Sequence, residues 1–180
     1  MFEICFTRRY SMGHRLYSLK GSPCVIPHGH NEYVKVTLVY DGNDALDGGS
    51  NMAASFRQMK KRWHDWIDGH VDHSLHLASR DPLLDYFRER EPENLRYLLI
   101  TPGDPTTEAL AACMFAKISA FLAAEQNGMR CTRLEIEETP TNTVVFSGDP
   151  DKALNMGQYD GPAIPWWKRA DMSINDLDLP

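Results

Sequence analysis

Hydrophobic and polar positions alternate most clearly over residues 32 to 40, where Val34, Val36, Leu38 and Tyr40 interleave with Tyr33, Lys35, Thr37 and Val39. A repeat of two predicts an extended strand, here partly apolar on both faces. Residues 2 to 7 read as an earlier strand. After turn chemistry at Asp41-Gly42-Asn43-Asp44 and Gly48-Gly49-Ser50 the period changes. Met52, Phe56, Met59, Trp63, Trp66 and Ile67 recur at helical spacing and predict one amphipathic helix ending near Gly69. A second helix is expected to begin around Thr106 to Glu108, after Pro105, and to run through Leu110, Met114, Ile118 and Leu122 to a stop at Asn127-Gly128. Residues 131 to 138 and 143 to 147 read as a hairpin turned by Pro140-Thr141-Asn142.

The order is strand, strand, helix, helix, strand, strand. With both strand pairs antiparallel, this predicts an α+β domain: a four-stranded antiparallel sheet with two helices on one face. Its bounds are residues 1–148, with a charged insertion around 77–100 holding at most a short helix near Leu83, Leu84 and Phe87. Residues 149–180 form an irregular extension, since Pro150, Pro162, Pro165 and Pro180 oppose a long helix or central strand.

Composition narrows the function classes. The chain of 180 residues is 42% hydrophobic and 24% charged, which suits one globular domain. Nineteen basic against 25 acidic side chains leave a formal charge of -6, which argues against a nucleic-acid or anionic-membrane surface. Cys5, Cys24, Cys113 and Cys131 form no C-x-x-C pair and suit a reducing cytosol. Glu3, Arg8 and Arg9 interrupt any apolar leader, and no uninterrupted run of about 18 apolar residues occurs, so a cytoplasmic protein without a membrane partner is expected.

Chemistry enters at His28-Gly29-His30, just before the second strand. Side chains two apart on an extended backbone point the same way, as two ligands of one metal must. Alone the pair is weak, because histidines so spaced also decorate surface strands. His14 is the best third ligand if residues 15 to 27 return the chain beside the pair. Three neutral imidazoles suit Zn²⁺ and leave a fourth position for water or substrate. Cys24, four residues before His28, has three readings: a proton-transferring base or nucleophile beside the metal, a buried inert thiol, or a fourth ligand that closes the site. For Cys5, Cys113 and Cys131 the buried inert reading is preferred. Asp72-His73 could relay a proton if a turn lets the carboxylate fix the imidazole, whereas His64, His70 and His76 read as surface or packing residues. Glu138, at a strand end, has the two acceptor oxygens that an aminopyrimidine edge requires. Arg15, Lys20 and Lys35 lie near these motifs, but surface positions explain them equally well.

Taken together, Ser11-Met12-Gly13-His14-Arg15-Leu16, Cys24-x3-His28-Gly29-His30, Asp72-His73, Pro105-Thr106-Thr107-Glu108 and Glu138-Thr139 with Val144-Val145-Phe146-Ser147-Gly148 resemble the 6-pyruvoyl- and 6-carboxy-tetrahydropterin synthase family over roughly residues 2 to 148. The resemblance implies the tunnelling fold, ββααββ, and homo-oligomers in which trimers joined through their sheets stack as hexamers, with active sites at subunit interfaces. By it, His14, His28 and His30 bind zinc, Cys24 is the base, and Asp72 with His73 completes the relay from a neighbouring subunit. Glu138 anchors a pterin substrate, and Thr107 and Glu108 line its pocket.

The short interval from Cys24 to His28 resembles the 6-carboxy type of queuosine biosynthesis. That implies conversion of 7,8-dihydroneopterin triphosphate to 6-carboxy-5,6,7,8-tetrahydropterin, with release of acetaldehyde and triphosphate. The alternatives are a pyruvoyl-type synthase or related dihydropterin side-chain lyase and, in another class, a non-catalytic zinc-binding assembly protein. The Trp166-Trp167 tail is expected to pack on its own or a neighbouring subunit, with partner recruitment as the second reading.

Overall fold

The computed structural model describes residues 2–40, 46, 48–52 and 55–180. The turn expected at Asp41-Gly42-Asn43-Asp44 lies outside the described residues.

Two long strands, β1 (Glu3–His14) and β2 (His28–Tyr40), pair antiparallel along their whole length, from Glu3 opposite Val39 to His14 opposite His28. Both exceed the expected bounds because residues 8–14 and 28–31, where polar side chains and glycines break the apolar pattern, continue the ladder. Even-numbered residues of β1 face inward: Ile4, Phe6, Tyr10, Met12 and His14 are buried, and their neighbours face out. β5 (Met129–Thr139) joins β2 and turns into β6 (Asn142–Phe146), as the hairpin pattern predicts.

On the inner face lie α1 (Phe56–Trp66) and α3 (Thr107–Glu125). Met59, Trp63 and Trp66 of α1 are buried, whereas Phe56 is exposed, and a wider π-type turn over Ile67–Val71 continues the helix past Gly69. The start of α3 is set by Thr106, whose hydroxyl caps the Ala109 amide at 3.3 Å. It ends at Gln126, which takes a left-handed conformation just before the expected Asn127-Gly128 stop. By length and composition α3 could cross a membrane, but 61% of that window is buried within this fold, where Leu110, Met114, Ile118 and Phe121 join the core.

The two expected helices share one face, but the expectation of a four-stranded antiparallel sheet is corrected. The sheet has six strands in the order β4-β3-β1-β2-β5-β6, and the two extra ones are parallel. β3 (Ser74–Ala78) runs alongside Met12–His14, and β4 (Leu98–Thr101) lies outside it. Between them α2 (Leu83–Arg90) and a 3-10 stretch (Pro92–Tyr97) form the crossover. Leu77, Leu84, Leu95, Leu98 and Ile100 make a second small core there, while Leu99 faces the main one. The extension is therefore covered on both sides, and β4 reads as a short apolar run without alternation, whereas β3 still alternates Ser74-Leu75-His76-Leu77. Only Met12–His14 of β1 has β3 beside it; the stretch Glu3–Tyr10 has no strand on that side among the described residues.

The tail after β6 carries one α-helical turn, α4 (Pro150–Ala153), and two 3-10 turns, Met156–Gln158 and Trp166–Lys168, and packs on its own subunit. Trp166 and Trp167 are fully buried, which removes the recruiting-patch reading. Trp166 Nε1 donates to the Ile100 carbonyl at 2.7 Å, Ile100 N donates to Ile174 O at 3.2 Å, and the Asn175 amide reaches the carbonyls of Leu95 and Leu98. Lys117 of α3 is buried beneath it, donating to Trp166 O at 3.0 Å and Asp171 at 3.2 Å.

Candidate active site

The antiparallel register sets His14 directly opposite His28 and places His30 two positions further on the same inward face. Candidate ligand atoms of all three imidazoles lie within 4.8 Å of one another. His14 Nδ1 lies 3.0 Å from the Pro105 carbonyl and His28 Nδ1 lies 2.9 Å from the Ile26 carbonyl. A carbonyl only accepts, so both Nδ1 atoms carry the proton and both Nε2 atoms present lone pairs. Those two Nε2 atoms stand 3.0 Å apart. Two lone pairs at that distance do not bond each other; a cation between them satisfies both. The donor set therefore fits a metal, and burial, which lowers the pKa of His14, favours the neutral form that a metal ligand needs. His76, paired with His14 in the neighbouring strand, is wholly buried and so a packing residue, the second of its two expected readings; burial pushes it down to about 3, so it is neutral and bonds Ser74 Oγ at 2.9 Å.

Cys24 sits half-buried on a 3-10 turn, Pro23–Val25, capped by the Ser22 hydroxyl. Its carbonyl accepts from Leu16 N at 2.8 Å, which ties the thiol's turn to the chain just beyond His14. The metal-capable group consists of the three imidazoles without this thiol. Cys113 and Cys131 are buried, and burial lifts both thiols, the second to about 12. Cys5 departs from the buried inert reading: as an odd residue of β1 it lies on the outer face and is exposed.

Thr107, the first residue of α3, donates through its hydroxyl to Glu138 Oε1 at 2.8 Å, so the helix start and the strand end do meet. Glu138 is the extra residue of a β-bulge against β6. Glu108, one residue further along α3, is exposed.

Asp72 and His73 make the direct bond that regular structure forbids to neighbours, Nδ1 to Oδ2 at 2.9 Å, because His73 adopts φ +64°. Asp72 also accepts from the Ser11 amide at 2.7 Å. Burial opposes its charge, but the Ser11 and His73 bonds prevail and hold the carboxyl below its ordinary value. The bonds of this pair run to each other and to the edge of β1 rather than to the three imidazoles.

Of the cations near the motifs, Arg15 is taken by Asp81, whose side chain is fully buried, with Nε to Oδ2 at 2.7 Å. Lys20 lies over the Tyr17 ring and Lys35 pairs with Glu135.

Sequence reasoning missed a buried polar pair beside the imidazoles: the Tyr10 hydroxyl donates to Glu32 Oε2. Burial, resisted by that bond and reinforced by Glu138, lifts the Glu32 carboxyl to about 7. Glu32 is in phase with His28, His30 and Val34, and that parity was its available signal.

The sequence profile of 6-pyruvoyl tetrahydropterin synthase matches residues 3–149. The chain is 29% identical over 145 residues to the 6-carboxy-5,6,7,8-tetrahydropterin synthase of Bacillus subtilis, spanning 81% of this chain and 84% of that one. Among solved structures it is similar to a Wolinella succinogenes protein, with TM-score 0.64 and 19% identity over 82% of this chain and 98% of the other. It is also similar to the Caenorhabditis elegans 6-pyruvoyl tetrahydropterin synthase, with TM-score 0.54 and 24% identity over 82% and 96%. At those identities the two solved structures show a shared fold.

Proposed function

The chain belongs to the 6-pyruvoyl tetrahydropterin synthase family, and from that premise we propose that it is a zinc-dependent 6-carboxy-5,6,7,8-tetrahydropterin synthase. It would act as a lyase on 7,8-dihydroneopterin triphosphate, breaking a carbon–oxygen bond to release triphosphate and, with one water taken up, a carbon–carbon bond of the side chain to release acetaldehyde. The observation that carries this reading is the facing pair of Nε2 atoms on His14 and His28, each oriented by a carbonyl on its other nitrogen. The short Cys24-to-His28 interval and the likeness to the Bacillus subtilis enzyme support the 6-carboxy type.

His14, His28 and His30 would hold the zinc ion, with the carbonyls of Pro105 and Ile26 fixing two of the rings. When bound, zinc supplies Lewis-acid polarisation of the substrate's side-chain oxygens and steadies negative charge developing there. Glu138, oriented by the Thr107 hydroxyl, accepts N–H bonds from the pyrimidine edge, and Glu108 lines the same pocket. Cys24 takes and returns protons at the side-chain carbons. Asp72 holds the proton on His73 Nδ1, leaving Nε2 to pass another. Because that pair lies at the β1 edge, it would serve the site of a neighbouring copy in a homo-oligomer, a trimer or a hexamer. Free thiols and net negative charge suit a cytoplasmic protein without nucleic-acid or membrane partners.

The test is to incubate the zinc-loaded protein with 7,8-dihydroneopterin triphosphate and identify the products by mass. A 6-carboxy product with acetaldehyde supports the reading; a 6-pyruvoyl product without carbon loss would reassign the chain to the pyruvoyl type. Cys24→Ala should keep its zinc and lose turnover by about 10²- to 10⁴-fold, whereas His28→Ala or His30→Ala should lose zinc. Zinc loss in Cys24→Ala would make the thiol a ligand and favour a non-catalytic zinc protein.

A further inference from the structure

Glu32 is a carboxyl that the zinc ligands, the thiol and Glu138 leave without a task. It follows His30 by two residues on β2, on the same inward face, opposite Tyr10 of β1. Tyr33 pairs with Glu137 and Val34 with Ile136 on β5, and continuing that register sets Glu32 beside Glu138. The residue is only 1% exposed. Oε2 accepts from the Tyr10 hydroxyl, but Oε1 is buried with no donor among the described residues. Its charged neighbour is another acid, Glu138, rather than a Lys or Arg. A buried acceptor left unpaired is costly to a fold, and such a group calls for a donor from outside the chain.

We propose that Glu32 Oε1 accepts an N–H of the bound pterin, so that two carboxylates on neighbouring strands grip its 2-amino-4-oxopyrimidine edge. That edge offers three N–H donors in a row, the ring N3–H and both hydrogens of the exocyclic amine. Glu138 takes two, and Glu32 takes the outer amine hydrogen. The pairing selects an amino ring over a 2,4-dioxo ring, which sets an acceptor oxygen against both acids. This rests on the pterin reading of the same site and sharpens its specificity.

Calorimetric titration of the zinc-loaded protein with neopterin, and with its 2,4-dioxo counterpart, tests it. The wild type should bind neopterin and discriminate against the dioxo ring. E32Q should weaken neopterin about ten- to hundredfold, the range for losing a charged acceptor, and narrow that discrimination. Its zinc content should be unchanged and its melting temperature equal or higher. Y10F, which leaves the acceptor in place, should stay within about threefold of wild type.

Wild-type affinity in E32Q together with weak binding in E138Q would overturn the role of Glu32 and leave the pterin reading standing. No neopterin binding by fully zinc-loaded wild type would remove the pterin reading itself, and this inference with it. An E32Q protein that fails to fold, or equal losses in E32Q and Y10F, would mark the pair as structural and overturn the proposal.

Discussion

At residue 29 an added Cβ would stand 2.6 Å from the carbonyl oxygen of Met12, on the backbone of β1. Glycine between the two imidazoles is what allows β2 to approach β1 closely enough for His28 to meet His14. Gly29→Ala removes none of the three imidazoles, yet it should push the strands apart and, if they bind zinc as proposed, lower the affinity for it about 10- to 100-fold, the usual effect of disturbing a ligand's support. Competition with a chelating dye would measure it, and unchanged affinity would contradict the account. The three imidazoles were legible in the sequence because their geometry follows from a repeat of two and one strand pairing. The Tyr10–Glu32 pair was not, since an isolated acid in a strand reads as solvated until the partner strand is known. Likewise the Asp72–His73 bond depends on one left-handed residue, which no neighbouring glycine announces.

The elements that sequence left as a charged insertion are those that fasten the loop after His14. Asp81 accepts from Arg15 and also from the Leu83 amide, at the start of α2, at 2.8 Å. With its side chain fully buried, Asp81→Ala strands the guanidinium and should cost about 3 to 5 kcal/mol, read from urea unfolding. An unchanged midpoint would show the contact to be dispensable. Arg80, Arg88 and Arg90 conceal the apolar residues of this crossover, and runs as short as Leu98-Leu99-Ile100 fit strand and helix alike, so periodicity could not identify it.

On α3, burial holds Lys117 down at about 8 against the pull of Asp171. Between pH 8 and the usual 10.5 the unfolded chain keeps a proton that the folded chain has released, so stability should rise with pH across that window, by roughly 3 kcal/mol. Below pH 8 this contribution is flat. Lys117→Met should abolish the rise and be no less stable at pH 7, a comparison that denaturation at pH 7 and pH 10 makes directly.

Across the whole molecule the tail closes one side of the sheet, where Ile174 and Asn175 occupy backbone groups of β4 and its approach. Two stretches of strand edge stay open among the described residues: β6, and Glu3–Tyr10 of β1. Unpaired edges of this kind invite another strand. If copies join edge to edge, light scattering should give a mass near a threefold or sixfold multiple of the 20.5 kDa chain, and a strict monomer would refute the assembly.

The short parallel neighbour of β1 then works as a stop. A visiting strand can zip along the first eight residues of β1 and no further, because Ser11 already gives its amide to Asp72 and its carbonyl to the His73 amide. Docking would therefore end beside the one imidazole held in a left-handed twist, and the foreign chain would arrive at a fixed station instead of sliding past it.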